Sequence, residues 1–204
     1  MKLYDHPMSA NCLKPRLLLA QLGTPYERVT VDIFDRDRHG QLARNPTKLV
    51  PVLETDDGAF IPESGAIMLY LAEGTPFLPP PGVARARVHQ WLFFEQNQLE
   101  PGLAVARFMK LMGLDDHAPE VYKNRLQQGQ RALNAIAHGL SDGRPFLAGE
   151  DYTVADMQVY AYSHTAADVD LEHEPVVADW LARVEATPGF VNDLEPIPPR
   201  GAGT

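Results

Sequence analysis

Cysteine is almost absent from this chain of 204 residues, which contains only Cys12. A single thiol excludes an intramolecular disulfide, so small disulfide-stapled scaffolds are ruled out, and it favours a reducing compartment over a secretory one. Long apolar runs are missing too. No stretch reaches the ~18 apolar residues that a membrane span requires, and the N-terminal segment has no apolar signal region. We therefore expect a cytoplasmic protein without a membrane span.

Basic charge is also scarce: 18 Lys and Arg face 27 Asp and Glu, and the formal net charge is -9. Because nucleic-acid surfaces are normally bound by basic faces, we expect no nucleic-acid partner. The seven histidines are scattered without a close H-x-x-x-H pair, so no metal site is expected. What the chain does contain is 45% hydrophobic and 22% charged residues, which is typical of a globular protein with an ordinary core.

The sharpest break in composition lies between Glu73 and Val83, a segment with four prolines. Proline provides no backbone donor and stops a helix, so this segment is interpreted as a linker between domains. The predicted division is a first domain at 1–75, a linker at 76–84, a second domain at 85–195 and a loose tail at 196–204.

The first domain alternates strand-like and helical runs. Strand-like runs at 2–6 and 26–33 flank a helical run at 15–23 that ends in a Gly23 stop signal, which predicts two parallel strands joined by a crossover helix. Two further runs, joined by Asp57-Gly58, predict a β-hairpin. We expect the order β-α-β-α-β-β-α, which is a small mixed sheet with helices on both faces.

The second domain is predicted to be all-helical. Residues with helical spacing occupy 85–112, 119–140, 154–167 and 176–187. Thr153 and Asp156 match a capping box at the start of the third of these helices. Glu95 is a polar residue in an apolar row, which indicates either a contact between helices or a subunit interface.

The loop between the first strand and the first helix carries a hydroxyl, an amide and a thiol: Ser9, Asn11 and Cys12. Ligands bind at such strand ends in open α/β sheets. Pro15 is expected in the first helical turn, which would start the helix near Cys12 and direct amide groups towards an anion. Ser9 and Asn11 could alternatively be ordinary turn and capping residues.

A second pattern combines a proline before a strand with a serine at a helix start. Pro51 could hold a cis bond and expose the backbone of Val50 to a ligand. Ser64, the predicted N-cap of a helix closing near Gly74, would offer a hydroxyl and backbone amides to a carboxylate.

Three segments resemble the soluble glutathione transferases of bacterial, serine-type character. They are KLYDHPMSANC at 2–12, NPTKLVPVLETDDGAFIPESGAIMLYLAEGTPFLP at 45–79 and FLAGEDYTVADMQVYAY at 146–162. The resemblance covers residues 1 to about 192. It implies a thioredoxin-like βαβαββα domain followed by an all-helical domain, glutathione as co-substrate, and conjugation of a small hydrophobic electrophile in detoxification.

The resemblance also implies residues that bind glutathione. The backbone of Val50, before a cis Pro51, would pair with the cysteinyl part of glutathione. Glu63 and Ser64 would bind the γ-glutamyl end, and Lys48 would contact the glycyl carboxylate.

Ser9 matches the serine that donates a hydrogen bond to the glutathione sulfur, with Asn11 as a further candidate. A free thiol has a pKa of about 8.5, and one hydrogen bond to a charged group contributes ~1.5 to 3 kcal/mol, which is enough to shift that pKa by roughly 1 to 2 units. Cys12 supports an alternative, a glutathione-dependent oxidoreductase or peroxidase, because a helix N-terminus should lower its pKa. A third alternative is a non-catalytic binding module.

The resemblance implies two further surfaces. The electrophile pocket is expected to be lined by Met8, Ala10, Arg107, Phe108 and Leu111, with Arg107 either steering an anionic substrate or pairing with an acidic neighbour. A homodimer is expected to form through the helix at 65–73 and the helix at 85–112.

Overall fold

The computed structural model describes residues 1–35, 42 and 44–196. The chain separates into two units. The first contains Met1–Gly74 together with Pro188–Glu195, and the second contains Thr75–Thr187 and Pro196.

The first unit contains a four-stranded mixed sheet with the order β2-β1-β3-β4. Strands β1 (Lys2–Asp5) and β2 (Glu27–Thr30) are parallel, whereas β1 pairs antiparallel with β3 (Val52–Glu54) and β3 with β4 (Phe60–Pro62). Both the parallel pair and the predicted hairpin are therefore confirmed. The hairpin turns at Gly58, whose positive φ of 80° suits a residue without a Cβ.

Helices α1 (Ala10–Gln21) and α2 (Ser64–Ala72) pack against each other. Leu19 of α1 and Ile67 of α2 join Leu3 and Leu53 in one buried core. Side chains alternate along a strand, so Val52 faces the other side, where it forms a second buried core with Val31 and Leu42. The helix expected between the second and third strands falls in a segment that includes residues 36–41 and 43, which lie outside the described residues.

The start of α1 differs from the prediction. The helix begins at Ala10 rather than near Cys12, and Pro15 is its sixth residue rather than part of its first turn. Ser9 is the N-cap, because its backbone is extended and its side chain accepts the amide of Cys12. At the other end Gly23 has a φ of 61° just after the C-cap Leu22, as its stop signal predicted.

The helical elements of the second unit are α3 (Val83–Phe94), a π-helical segment (Glu95–Leu99), α4 (Glu100–Leu111), α5 (Pro119–Gly139), α6 (Val154–Ser163), a 3₁₀ turn (Ala166–Val169) and α7 (Pro175–Glu185). The helix predicted at 85–112 is thus interrupted by a π-helical segment. Glu95 in this segment is buried and accepts a 2.7 Å hydrogen bond from Gln158 of α6, so it is a contact between helices.

Two local features organise the packing of the second unit. The predicted capping box at Thr153 and Asp156 is present, and the Asp156 carboxylate also accepts hydrogen bonds from the Leu147 amide at 2.8 Å and the Trp180 indole at 3.0 Å. Helices α4 and α5 approach so closely that a Cβ on Gly102 would lie 2.4 Å from the backbone nitrogen of Gly129.

The predicted helical domain ran to residue 195, whereas in the structure Pro188–Glu195 groups with the first unit. This segment belongs to the first unit because Asp193 lies 2.7 Å from the Arg16 guanidinium and 3.3 Å from that of Arg28, and the Glu195 amide donates to the Pro7 carbonyl. The linker at 76–84 remains a prediction. Of the predicted tail, residues 197–204 lie outside the described residues. Within the ranges given above, no helix is long and apolar enough to cross a membrane.

Candidate active site

The N-terminus of α1 is built around the Ser9 hydroxyl. Ser9 Oγ accepts a hydrogen bond from the Cys12 amide at 3.4 Å, and its side chain is half-buried. A hydroxyl has one proton to donate and two lone pairs that accept. Accepting the Cys12 amide therefore leaves the hydroxyl proton of Ser9 able to donate to another group.

Cys12 lies in the same turn but in a different environment. Its side chain is fully buried, and its sulfur accepts a hydrogen bond from the His6 amide at 3.4 Å. Burial raises the pKa of the Cys12 thiol to about 12, outweighing the hydrogen bonds from Ser9 and His6 that lower it. The expectation that the helix N-terminus lowers the pKa of Cys12 is therefore wrong, because desolvation of the thiolate is the larger effect.

The segment before β3 contains the cis peptide bond that the sequence predicted between Val50 and Pro51. Val50 is half-buried, and Pro51 is buried. Lys48 has a positive φ of 56°, and its ammonium donates to the Leu42 carbonyl at 3.0 Å. These contacts fix the loop in which Lys48 and the Val50 backbone were predicted to meet a ligand.

The start of α2 holds Glu63 and Ser64. Glu63 is the N-cap, and the helix begins at Ser64, so the predicted N-cap is displaced by one residue. Glu63 is exposed and has a φ of 74° with a ψ of 117°, a region that residues with a side chain rarely occupy. Such conformations persist where the surrounding structure enforces them and are concentrated at functional sites.

Asn11 and Ser64, which were predicted in separate motifs, are brought together around a residue that sequence reasoning missed. The Lys14 ammonium donates to Asn11 Oδ1 at 2.6 Å and to Ser64 Oγ at 3.5 Å, and the Ser64 hydroxyl donates to Asn11 Oδ1 at 3.4 Å. Lys14 is fully buried, although lysine is almost never buried without a partner. The available signal was its place three residues after Asn11, on the same helix face.

The residues predicted to line an electrophile pocket are distributed over the two units. Met8 is half-buried and Ala10 almost fully buried in the first unit, whereas Phe108 is 45% exposed and Leu111 half-buried on α4 of the second. Arg107 is buried and lies 2.7 Å from Asp168. This ion pair agrees with the pairing alternative for Arg107.

Over the part of the chain that the structure describes, no group of three His, Cys, Asp or Glu side chains is placed to hold a metal ion. The polar groups at the starts of α1 and α2 are hydroxyls, an amide, an ammonium, backbone N–H groups and the exposed carboxylate of the N-cap Glu63. Donors of this kind at helix N-termini suit anions.

Comparison with known proteins agrees with the sequence resemblance. Residues 3–80 match the family model for the N-terminal domain of glutathione S-transferase, and residues 103–188 match the model for its C-terminal domain. The chain is 28% identical to glutathione S-transferase GstA of Escherichia coli O157:H7, over 92% of this chain and 94% of that protein.

Solved structures agree as well. The crystal structure of a glutathione S-transferase from Pseudomonas fluorescens Pf-5 is 41% identical, with a TM-score of 0.90 over 95% of this chain and 98% of that one. A glutathione transferase family member from the same organism, solved with two glutathione bound, is 26% identical with a TM-score of 0.81, over 95% of this chain and 92% of that one. With its thioredoxin-like unit and its all-helical unit, the chain belongs to the glutathione S-transferase family and is an enzyme of that family.

Proposed function

We propose that this enzyme binds glutathione at the N-termini of α1 and α2 and uses the Ser9 hydroxyl to hold its sulfur as a thiolate for attack on a small hydrophobic electrophile. The observation that carries the proposal is the position of Ser9. Its hydroxyl caps α1 by accepting the Cys12 amide. Its single proton can be donated to the sulfur of a bound thiolate, in place of the contact with the Cys12 thiol. The helix dipole favours a negative charge at the same place.

Glutathione binding is proposed to use both motifs. The Val50 backbone before the cis Pro51 would pair with the cysteinyl part, and Glu63 and Ser64 would bind the γ-glutamyl end. Lys48 would contact the glycyl carboxylate. The exposure of Glu63 and the position of Ser64 in the first turn of α2 support this assignment. The Pseudomonas relative solved with two glutathione bound supports glutathione as the ligand.

The proposed chemistry is a nucleophilic substitution or addition. The thiol of glutathione gives up its proton to solvent, and the Ser9 hydroxyl donates a hydrogen bond to the resulting sulfur anion. The sulfur lone pair then forms a carbon–sulfur bond with the electrophilic carbon. In a substitution the leaving group departs with its bonding electrons, and in an addition the π electrons move to the neighbouring atom, which takes a proton from solvent. The electrophile is proposed to contact Met8, Ala10, Phe108 and Leu111. Arg107 is proposed to support this surface through its ion pair with Asp168.

The oxidoreductase alternative requires a reactive thiolate on the protein. A fully buried thiol with a pKa of about 12 is a poor source of one at neutral pH, so the properties of Cys12 favour conjugation by Ser9-bound glutathione. The alternative of a non-catalytic binding module predicts glutathione binding without turnover.

Steady-state kinetics of Ser9→Ala, with Ser9→Thr as the matched control, test the proposal. Losing one hydrogen bond to a thiolate should lower kcat/KM for conjugation about 10- to 100-fold, while calorimetry shows glutathione affinity within a few-fold of wild type. Ser9→Thr keeps the hydroxyl and should retain most activity. Unchanged turnover in Ser9→Ala would remove Ser9 from the mechanism, and absence of turnover in the wild type with every electrophile would favour the binding module.

We also propose that the protein is a cytoplasmic homodimer with a detoxifying role. The helices expected at the dimer interface each expose an aromatic side chain: Tyr70 on α2 is 52% exposed and Phe93 on α3 is 68% exposed. Light scattering of the purified protein should give twice the mass of one chain, and Phe93→Glu should shift it towards the monomer. A monomeric wild type would contradict the dimer.

A further inference from the structure

Lys14 is the most deeply buried cationic group beside the proposed glutathione site. Its side chain has no exposed surface, although it lies only five residues from Ser9. Removing an ammonium group from water is costly, and the fold recovers that cost only where good hydrogen bonds satisfy the buried charge. Stability alone therefore gives little reason for a lysine at this position.

The contacts of Lys14 connect the two helices that start at the site. The ammonium donates to Asn11 Oδ1, one turn earlier on α1, and to Ser64 Oγ, the first residue of α2. Ser64 also donates to Asn11 Oδ1, so the three side chains form a closed triangle of hydrogen bonds. These hydrogen bonds couple the positions of the three side chains and link the starts of α1 and α2.

The triangle places the positively charged ammonium of Lys14 3.5 Å from the Ser64 hydroxyl oxygen. Ser64 is buried in the first turn of α2, where the helix dipole is positive, and the ammonium adds a full charge to that field. In a buried environment such a charge is weakly screened, so it stabilises a carboxylate that approaches Ser64 more strongly than it would at an exposed surface.

We propose that Lys14 is a positioning residue for glutathione: it fixes Ser64, whose backbone N–H lies in the first turn of α2, and the Asn11 amide, and its charge selects the α-carboxylate of the γ-glutamyl residue. This inference rests on the proposed function, because it takes Ser64 to be the group that meets the γ-glutamyl end. It assigns to Lys14 the recognition of one end of the substrate, while the sulfur is left to Ser9.

The test is a comparison of two ligands in two proteins. The ligands are glutathione and 4-aminobutanoyl-cysteinyl-glycine, which lacks only the γ-glutamyl α-carboxylate. The proteins are wild type and Lys14→Met, which keeps the length of the side chain and removes the charge. Lys123→Met, at an exposed lysine on α5, is the matched control.

Calorimetry should show that Lys14→Met loses about 10-fold in affinity for glutathione and less than twofold for the analogue, as expected for loss of a charge-assisted contact. Kinetics should show a raised KM for glutathione with kcat within about twofold of wild type, because Ser9 is unchanged. An equal loss for both ligands, or no loss for either, would overturn the proposal. A fall in kcat without a rise in KM would do the same.

If Lys14→Met does not fold, the wild-type protein still tests the inference. With ¹⁵N-labelled lysine, glutathione should shift the Lys14 ammonium resonance, and the analogue should leave it near the position seen without ligand. Equal shifts with both ligands would contradict the proposal. Failure of the proposed function is distinguishable, since it would appear as wild-type protein without glutathione binding or as Ser9→Ala with normal turnover.

Discussion

The hydroxyl of Ser9 and the backbone amide of Cys12 form the hydrogen bond that starts α1, at 3.4 Å. The Ser9 hydroxyl and the Cys12 thiol are close in sequence, but their environments differ. The hydroxyl stays half-buried at the mouth of the helix, whereas the thiol points into the interior and is fully buried. The thiol of Cys12 is therefore withdrawn from the site at which we propose that the glutathione sulfur binds.

Cys12 should be unreactive in the folded protein. With a pKa of about 12, roughly one thiol in ten thousand is ionised at pH 8, and the side chain has no exposed surface. A chromogenic disulfide reagent should label no thiol under native conditions and one thiol per chain in denaturant. Cys12→Ala should keep conjugation within about twofold while lowering the free energy of unfolding by about 1 kcal/mol or more. Rapid native labelling, or loss of activity in Cys12→Ala, would restore Cys12 as a nucleophile.

The Asp156 carboxylate should make stability depend on pH. Burial raises its pKa to about 6 against the hydrogen bonds from Leu147, Trp180 and Thr153, so the folded state takes up this proton more readily than the unfolded state. Lowering the pH from 7 to 4 should therefore increase the free energy of unfolding of the wild type relative to Asp156→Asn, by about 1 to 3 kcal/mol.

Denaturant unfolding of both proteins at several pH values measures this difference, and the subtraction removes the effect of carboxylates that the two proteins share. Thr153→Ala removes the cap hydroxyl, which also donates to the Asp156 carboxylate. It should cost about 1 kcal/mol and should make the increase in stability towards low pH begin at a higher pH, because a donor that lowers the pKa of Asp156 is lost. If the difference in free energy of unfolding between wild type and Asp156→Asn decreased towards pH 4, the pKa of Asp156 would be lowered in the folded state instead.

Gly102 should not tolerate a side chain. Its Cβ would lie 2.4 Å from the backbone of Gly129, where α4 crosses α5, and backbone cannot move aside as a flexible side chain can. Gly102→Ala should lower the free energy of unfolding by about 1 to 3 kcal/mol despite the higher helix propensity of alanine. Thermal or denaturant unfolding checks this. An increase in stability of about 1 kcal/mol, as propensity alone predicts, would mean that the helices do not cross so closely.

Local patterns in the sequence predicted much of the fold, because each depends on a few neighbouring residues. The Asp57-Gly58 turn, the stop signal at Gly23 and the capping box at Thr153 are all where they were expected. The start of α1 differs from the prediction because the pattern places proline in the first turn, whereas the helix contains Pro15 further along, as its sixth residue.

The candidate site was only partly predictable, because its key relationships are tertiary. Apart from its place three residues after Asn11, nothing local in the sequence distinguishes Lys14 from a lysine that faces solvent, and the α1–α2 packing beside it is tertiary. The pKa of Cys12 likewise depends on burial by distant residues, which outweighs the local effect of the helix terminus. The expected partner of Arg107 could not be named in advance, since Asp168 lies 61 residues away in sequence.

The most direct test of the account is the pKa of the glutathione thiol while it is bound. The thiolate absorbs in the ultraviolet, so a pH titration of the complex, corrected for protein and free ligand, gives this pKa for wild type, Ser9→Ala and Ser9→Thr. We predict a wild-type value about 1 to 2 units below that of free glutathione, a similar value in Ser9→Thr and a return towards the free value in Ser9→Ala. The same low pKa in wild type and Ser9→Ala would contradict the central claim that the Ser9 hydroxyl holds the thiolate.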